Sequence, residues 1–129
     1  MSYQHILVAV DLSDASKALI DKAIEQAKSA NSRLSIVYVE TDHIREDPKE
    51  EQRIQAQLQT LANESGYPVA ETLSVIGDLH MKVAGLVETS GIDLVVCGHH
   101  HTLISRLFSS VPKLVNHVKA DLLIVNLDE

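Results

Sequence analysis

The stretch from residue 93 to residue 101 constrains the fold more than any other part of the sequence. It reads Asp-Leu-Val-Val-Cys-Gly-His-His-His, so an unbroken apolar run ends at a glycine and three histidines. An apolar run without polar alternation is typical of a strand buried on both faces, as in a parallel sheet between two helical layers. Open α/β sheets bind ligands beyond the carboxyl ends of their strands. We therefore expect the segment from Gly98 to His101 to border any ligand site.

Five segments of this chain have the apolar composition of strands, and helical segments separate them. The predicted strands are His5–Asp11, Leu34–Val39, Val69–Ile76, Ile92–Cys97 and Asp121–Leu127. The first intervening helix is predicted from a cap at Ser13 to about Ala30. Its apolar positions recur at helical spacing: they are Ala15, Ala18, Leu19, Ala23, Ala27 and Ala30.

The other three helices have start or stop signals of their own. Asp47 followed by Pro48 predicts a helix start, after a polar loop from Glu40 to Glu46. Ser65–Pro68 predicts the end of that helix, and Gly91 predicts the end of the next one. The last helix is predicted from its apolar stripe: Leu107, Val111, Leu114, Val115 and Val118.

This alternation predicts an α/β fold in a single domain over residues 1–129. Right-handed crossovers then give one doubly wound, Rossmann-like, five-stranded parallel sheet with helices on both faces. In the expected strand order 3-2-1-4-5, the topological switch point lies between strands 1 and 4. The two loops that flank this crevice begin at Asp11 and Gly98.

Composition excludes several classes of function. The net charge of −7 disfavours binding to nucleic acid, and a chain without Trp and with one Phe offers few platforms for stacking bases. No apolar run approaches the ~18–20 residues of a membrane helix, and the first residues lack the basic region of a signal peptide. A single cysteine, Cys97, within an apolar run fits a reducing compartment. We expect a cytoplasmic protein that binds neither nucleic acid nor membrane.

The residues at the crevice allow more than one interpretation. The Asp11 carboxylate could bind a ribose hydroxyl, help to hold a metal, or cap the following helix. His99, His100 and His101 lack the spacing of a helical zinc pair, so loop packing is favoured over metal binding, and a pH response stays open. The chain has no Gly-x-Ser-x-Gly elbow and no base–nucleophile pair at a defined spacing. Enzymatic activity is therefore disfavoured, and no metal or cofactor is predicted.

Several segments together resemble the bacterial universal stress proteins of the A type, in the same order along nearly the whole chain. These segments are Tyr3–Ser13, Gly66–Pro68, Glu71–Ser74, Gly77–Leu79, Asp93–His100 and Asp121–Val125. The resemblance implies a cytoplasmic homodimer that acts in general stress resistance and has the fold predicted above.

One branch of that family binds ATP through two glycines separated by two residues, then nine residues, then glycine and Ser or Thr. Here Gly98 matches the first glycine, but His101 stands at the second position. Only seven residues separate His101 from Ser109, which replaces the last glycine, so Ser110 alone matches the end of the motif. A side chain at His101 would occupy space where bare backbone must face phosphate. The resemblance therefore implies the branch that does not bind ATP.

Two functional hypotheses follow from the resemblance. In the first, the chain is a non-catalytic homodimer paired through the terminal strand, with possible heterodimers with related stress proteins. The interface residues would be Leu122, Leu123, Ile124, Val125 and Leu127. In the second, the crevice is a sensor for ATP or AMP that uses Asp11, Val39, Gly98 and Ser110.

Overall fold

A computed structural model describes residues 3–40, 48–99 and 113–127 of the chain. These residues form one five-stranded parallel sheet in the order β3-β2-β1-β4-β5. The strands are β1 (His5–Val10), β2 (Arg33–Glu40), β3 (Glu71–Ile76), β4 (Leu94–His99) and β5 (Asp121–Asn126). The helices are α1 (Ser16–Ala27), which continues as a 3-10 turn (Lys28–Ala30), α2 (Pro48–Glu64) and α3 (Leu79–Ser90). Residues 113–117 are also helical. The predicted α/β class and strand order are confirmed.

Helices cover both faces of the sheet, so each central strand contributes to two separate cores. Along β1, Ile6, Val8 and Val10 pack with α1 and α2 on the face that we call the α1 face. Leu7 and Ala9 pack with α3 and the helical segment 113–117 on the opposite α3 face. All six residues of β1 are buried, which explains the unbroken apolar run in the sequence.

Helix α1 differs from its prediction at its start and in its buried stripe. It begins at Ser16, with Ala15 in the cap position and without a side-chain cap, so Ser13 is not the cap residue. Its buried residues are Ser16, Leu19, Ile20, Ala23, Ile24 and Ala27. The predicted stripe included Ala18, which is exposed, because it favoured small residues over the 3.6-residue period.

The third and fourth strands begin two residues later than predicted. Strand β3 starts at Glu71, where its ladder with β2 begins opposite Ser35. Strand β4 starts at Leu94 and extends to His99, which lies opposite Asn126 of β5. Glu40 is the last residue of β2 and not part of the polar loop. Pairing with the neighbouring strands determines where β3 and β4 begin and where β2 ends, and apolar composition alone does not reveal that pairing.

The stop signals for α2 and α3 are confirmed. Helix α2 ends at Glu64, and Gly66 has a φ of +76° in the turn that follows. Helix α3 ends at Ser90, and the cap residue Gly91 adopts the left-handed conformation with a φ of +68°. A glycine takes this conformation without the steric cost of a Cβ, so both helices end where the sequence indicates.

At the amino edge of the sheet, the Asp93 carboxylate ties β1 to β4. Its Oδ2 accepts the Gln4 backbone N–H at 2.9 Å, and its Oδ1 accepts that of His5 at 3.0 Å. The buried His5 ring lies 3.0 Å from the Ser90 carbonyl through Nδ1 and 2.8 Å from the Ser35 hydroxyl through Nε2. These bonds satisfy polar groups that would otherwise be buried without partners.

Candidate functional site

The strand register brings three of the four predicted crevice residues to the same edge of the sheet. Val10 lies opposite Tyr38 in β2, so the next residues, Asp11 and Val39, stand at one level. Ala9 lies opposite Cys97, which places Gly98 level with the end of β1. The ends of β1, β2 and β4 therefore lie level with one another at the topological switch point. The fourth residue, Ser110, lies outside the described residues, as do His100 and His101.

Asp11 shapes the turn between β1 and α1. Its Oδ1 accepts the Ser13 backbone N–H at 2.9 Å, while Leu12 adopts a positive φ of 63°. The Ser13 Oγ accepts the Ala15 N–H at 3.3 Å, and the Ser13 carbonyl accepts the Ser16 N–H at 3.0 Å. The carboxylate thus closes a side-chain turn ahead of the helix instead of capping the first turn of α1. This corrects the capping interpretation of Asp11.

Val39 belongs to the core of the α3 face. Its side chain is 8% exposed, and it packs in the same buried cluster as Leu79 and Val83. In the sheet it lies opposite Val75 of β3. An adenine ring, which the family resemblance places against Val39, would have to rest on the small exposed remainder of that side chain.

Gly98 has a packing reason to be glycine. A Cβ built on it would overlap Leu127 Cδ1, lie 3.1 Å from Leu127 Cγ and lie 3.7 Å from Leu19 Cδ2. Its φ lies outside the left-handed region, so backbone freedom is not what requires glycine here. The side chain of Leu127 fills the space above β4 on the α1 face. Sequence reasoning missed this role of Leu127, although its place two residues after Val125 puts both on one face of β5.

A buried acid at the end of β2 was also missed by sequence reasoning. Glu40 is 7% exposed, and its Oε2 accepts a hydrogen bond from the Tyr38 hydroxyl at 2.9 Å. Its backbone carbonyl accepts the N–H of Gly77, which links β2 to the turn after β3. The sequence signal for this contact was the spacing of Tyr38 and Glu40, because residues at i and i+2 of a strand lie on the same face.

A surface groove of about 450 Å³ lies beside this crevice, between the β1–α1 turn and α2. Its lining residues are Leu12, Ser13, Asp14, Lys17, Arg53, Ala56, Gln57, Thr60 and Leu61. Arg53 already contacts Glu50 Oε1 at 2.6 Å through Nη2 and Gln57 Oε1 at 3.1 Å through Nη1. The Glu50 hydrogen bond is the main reason that the pKa of Arg53 is raised above its ordinary value. Apolar atoms form most of the groove's lining, and the Arg53 guanidinium at its rim is paired with Glu50 of the same helix.

The described residues offer no strong nucleophile or metal cluster at the crevice. Cys97 is buried on the α3 face, and this burial raises the pKa of its thiol to about 12. Such a thiol is almost entirely protonated at neutral pH and is a poor nucleophile. Among residues 3–40, 48–99 and 113–127, no three His, Cys, Asp or Glu side chains form a group that could hold a metal ion.

Over the same ranges, none of the helices has both the length and the apolar character needed to cross a membrane.

The sheet order, the switch-point crevice and the sequence segments agree with a single family. A family model described as "Universal stress protein family" matches residues 2–126. The chain belongs to this family. Its members act in the stress response, and the family resemblance inferred from the sequence is confirmed.

Individual relatives support the same assignment. Universal stress protein A of Photorhabdus laumondii is 39% identical over 141 aligned positions, which cover 98% of this chain and 97% of the relative. Universal stress protein A of Escherichia coli K12 is 38% identical, with coverage of 98% and 96%. An alignment longer than this 129-residue chain means that the relatives carry residues that it lacks.

A solved structure shares both the fold and part of the sequence. A universal stress protein in complex with cAMP is 26% identical, with a TM-score of 0.73 and coverage of 99% of this chain and 100% of its own.

Proposed function

We propose that this universal stress protein is a cytoplasmic, non-catalytic homodimer that contributes to general stress resistance and does not bind ATP. The observation that carries the proposal is the position of β5. This strand ends the sheet on one side, and its continuation places Leu127 against Gly98 at the crevice. The segment from β5 to Leu127 thus offers a strand edge for pairing with a second chain. It also fills the space next to Gly98, which matches the first glycine of the ATP motif.

The loss of ATP binding is supported by both sequence and packing. His101 and Ser109 replace two glycines of the ATP motif, and the segment between them is shorter than the motif requires. Phosphate cradles need bare backbone close to the ligand, which side chains at these positions obstruct. A Cβ at Gly98, the one matching glycine, would meet the end of the Leu127 side chain, so packing gives a second reason for a glycine at this position.

Dimerisation through β5 is supported by the exposure of its apolar residues. Ile124 is 37% exposed, and Leu122, Leu123, Val125 and Leu127 are half-buried. A terminal strand with apolar side chains invites pairing with another chain. Two copies related by a twofold axis would use the same strand on each side, which makes the contact isologous.

Lysine substitutions on the two edge strands test the dimer. Ile124→Lys and Val125→Lys would place a charge at the centre of the proposed contact and should yield monomers. Ile76→Lys, at the end of β3 on the opposite edge, is the matched control because Ile76 is 46% exposed and not part of the contact. In sedimentation the wild type and Ile76→Lys should show twice the chain mass of 14.2 kDa. A monomeric wild type, or an unchanged mass in both β5 variants, would refute the pairing.

The absence of catalysis is proposed on chemical grounds. A general base must lie within hydrogen-bonding reach of the group it activates, and the described crevice residues present no such nucleophile–base pair. Asp11 holds the β1–α1 turn, and Cys97 is protonated and buried. Purified protein should therefore leave nucleoside phosphates unchanged.

A sensor for nucleoside monophosphates is the second candidate. It is favoured by the assembled positions of Asp11, Val39 and Gly98, and by the cAMP bound in the structure that is 26% identical. A monophosphate does not require the full triphosphate loop, so the departures at His101 and Ser109 weigh less against it. This candidate predicts saturable binding of AMP or cAMP that Asp11→Ala abolishes.

A further inference from the structure

Two histidines that are distant in sequence meet outside the crevice, on the side of α3 and the helical segment 113–117. His80 lies in the first turn of α3, and His117 is the last helical residue before β5. Their ring centroids are 5.2 Å apart, and the ring planes are inclined by 54°. His80 is half-buried and His117 is exposed, so solvent and small solutes reach the pair.

A backbone carbonyl fixes the tautomer of His117. Its Nδ1 lies 2.8 Å from the Lys113 carbonyl oxygen, which can only accept a hydrogen bond. Nδ1 must therefore carry the proton, and in the neutral ring Nε2 holds the free lone pair. Histidines that ligate metals in proteins are commonly held in this way, with the other nitrogen donating to a carbonyl or carboxylate.

The separation of the two rings matches that of two histidines on one metal ion. Two imidazole nitrogens bound to a tetrahedral Zn²⁺ at about 2.0–2.1 Å hold their ring centroids about 5 Å apart. The planes need not be parallel, so an inclination of 54° is compatible with this geometry. We propose that His80 and His117 chelate one borderline divalent transition metal ion, such as Zn²⁺, between α3 and the segment 113–117.

The remaining coordination positions would be taken by water, since the described residues supply no third ligand to this pair. Imidazole suits Zn²⁺, Ni²⁺ and Cu²⁺, whereas Mg²⁺ prefers oxygen ligands. The ion would link α3 to the segment that leads directly into β5. Because such an ion binds the folded chain, it should raise the unfolding temperature, and the rise should grow with the logarithm of the free ion concentration above the Kd.

Calorimetric titration with Zn²⁺ and thermal unfolding with and without EDTA test the site. The chain also carries histidines at 99, 100 and 101, so the titration uses a background in which His100 and His101 are replaced by Ser. In that background we expect one Zn²⁺ per chain and a higher unfolding temperature, with no response to Mg²⁺. His80→Ala and His117→Ala should each weaken Zn²⁺ binding at least about tenfold and remove the thermal shift.

Lys113→Ala is the matched control because it keeps the backbone carbonyl that holds His117 and should bind Zn²⁺ like the background protein. The metal-free unfolding temperatures of the histidine variants should stay close to that of the background, which separates loss of a ligand from loss of the fold. Equal Zn²⁺ affinity in the background and in both histidine variants would overturn the proposal and leave a simple ring contact. Absence of Zn²⁺ binding to the background protein would overturn it as well.

Discussion

At Gly98, the absence of a side chain leaves room for the Leu127 side chain beside β4. The pattern of an apolar strand followed by glycine correctly predicts that Gly98 lies near the carboxyl end of a central strand that pairs with β1. It does not predict that Leu127 fills the space beside that glycine, because the contact is made by a residue of another strand. Asp11 is similar: its place at the crevice follows from the sequence, whereas its hydrogen bond to the Ser13 N–H depends on the local turn.

Substitution of Gly98 by Ala should reveal this packing role. The new Cβ would overlap the end of the half-buried Leu127 side chain, which can rotate away, so the free energy of unfolding should fall by about 1 kcal/mol, the low end for overpacking. Leu127→Ala in the same chain should recover part of that loss, which a double-mutant cycle by urea denaturation measures. Additive losses in the double variant would contradict direct contact between the two positions.

Burial of Cys97 gives a prediction for thiol chemistry. Its pKa is raised to about 12 in the folded chain, above an ordinary value of 9.0, because burial disfavours the thiolate. Folding stability from this group is thus fully present below about pH 9 and is lost as the pH rises toward 12.

A colorimetric disulfide reagent at about pH 8 should leave the native thiol unmodified and label one thiol per chain after unfolding in urea. Rapid labelling of the native protein would show that Cys97 is accessible and that its thiolate is not suppressed.

At the scale of the elements, periodicity identified every described strand and helix, and the errors concern ends and faces. The buried stripe of α1 includes Ile20 and Ile24, which follow the helical period that the alanine-based prediction missed. The starts of β3 and β4 depend on where their neighbours pair, so they follow from the sheet and not from the local sequence. The predicted stripe of the last helix can be compared only at Leu114 and Val118, which are buried, and at Val115, which is 62% exposed.

The join between β1 and β4 depends on Asp93. Asp93→Ala removes the acceptor for the exposed Gln4 N–H and for the partly buried His5 N–H, and loss of the partner of the His5 N–H costs about 1–3 kcal/mol. We therefore expect a lower midpoint of urea unfolding for this variant. Asp121→Asn is the control, because the Asp121 side chain accepts an exposed hydrogen bond from the Tyr3 hydroxyl that an Asn carbonyl oxygen can also accept, and it should change the midpoint little. Equal effects of the two substitutions would argue against a special role for Asp93.

At the scale of the whole molecule, the observed strand order 3-2-1-4-5 agrees with the order expected for a doubly wound sheet, although right-handed crossovers alone also allow other orders such as 2-1-3-4-5. That order also places the crevice and makes β5 a terminal strand. Which surface pairs with a second copy depends on a partner chain, so the dimer contact at Leu122, Leu123, Ile124, Val125 and Leu127 stays a proposal. The same holds for the nucleotide specificity of the crevice, because Ser110 lies outside the described residues.

Calorimetric titration of the purified wild-type chain with ATP and Mg²⁺ tests the central claim most directly. If Leu127 and the altered glycine motif leave no phosphate cradle, ATP should produce no saturable heat at millimolar concentration, with parallel titrations of AMP and cAMP reporting on the monophosphate candidate. Micromolar binding of ATP that is lost in Asp11→Ala would contradict the account.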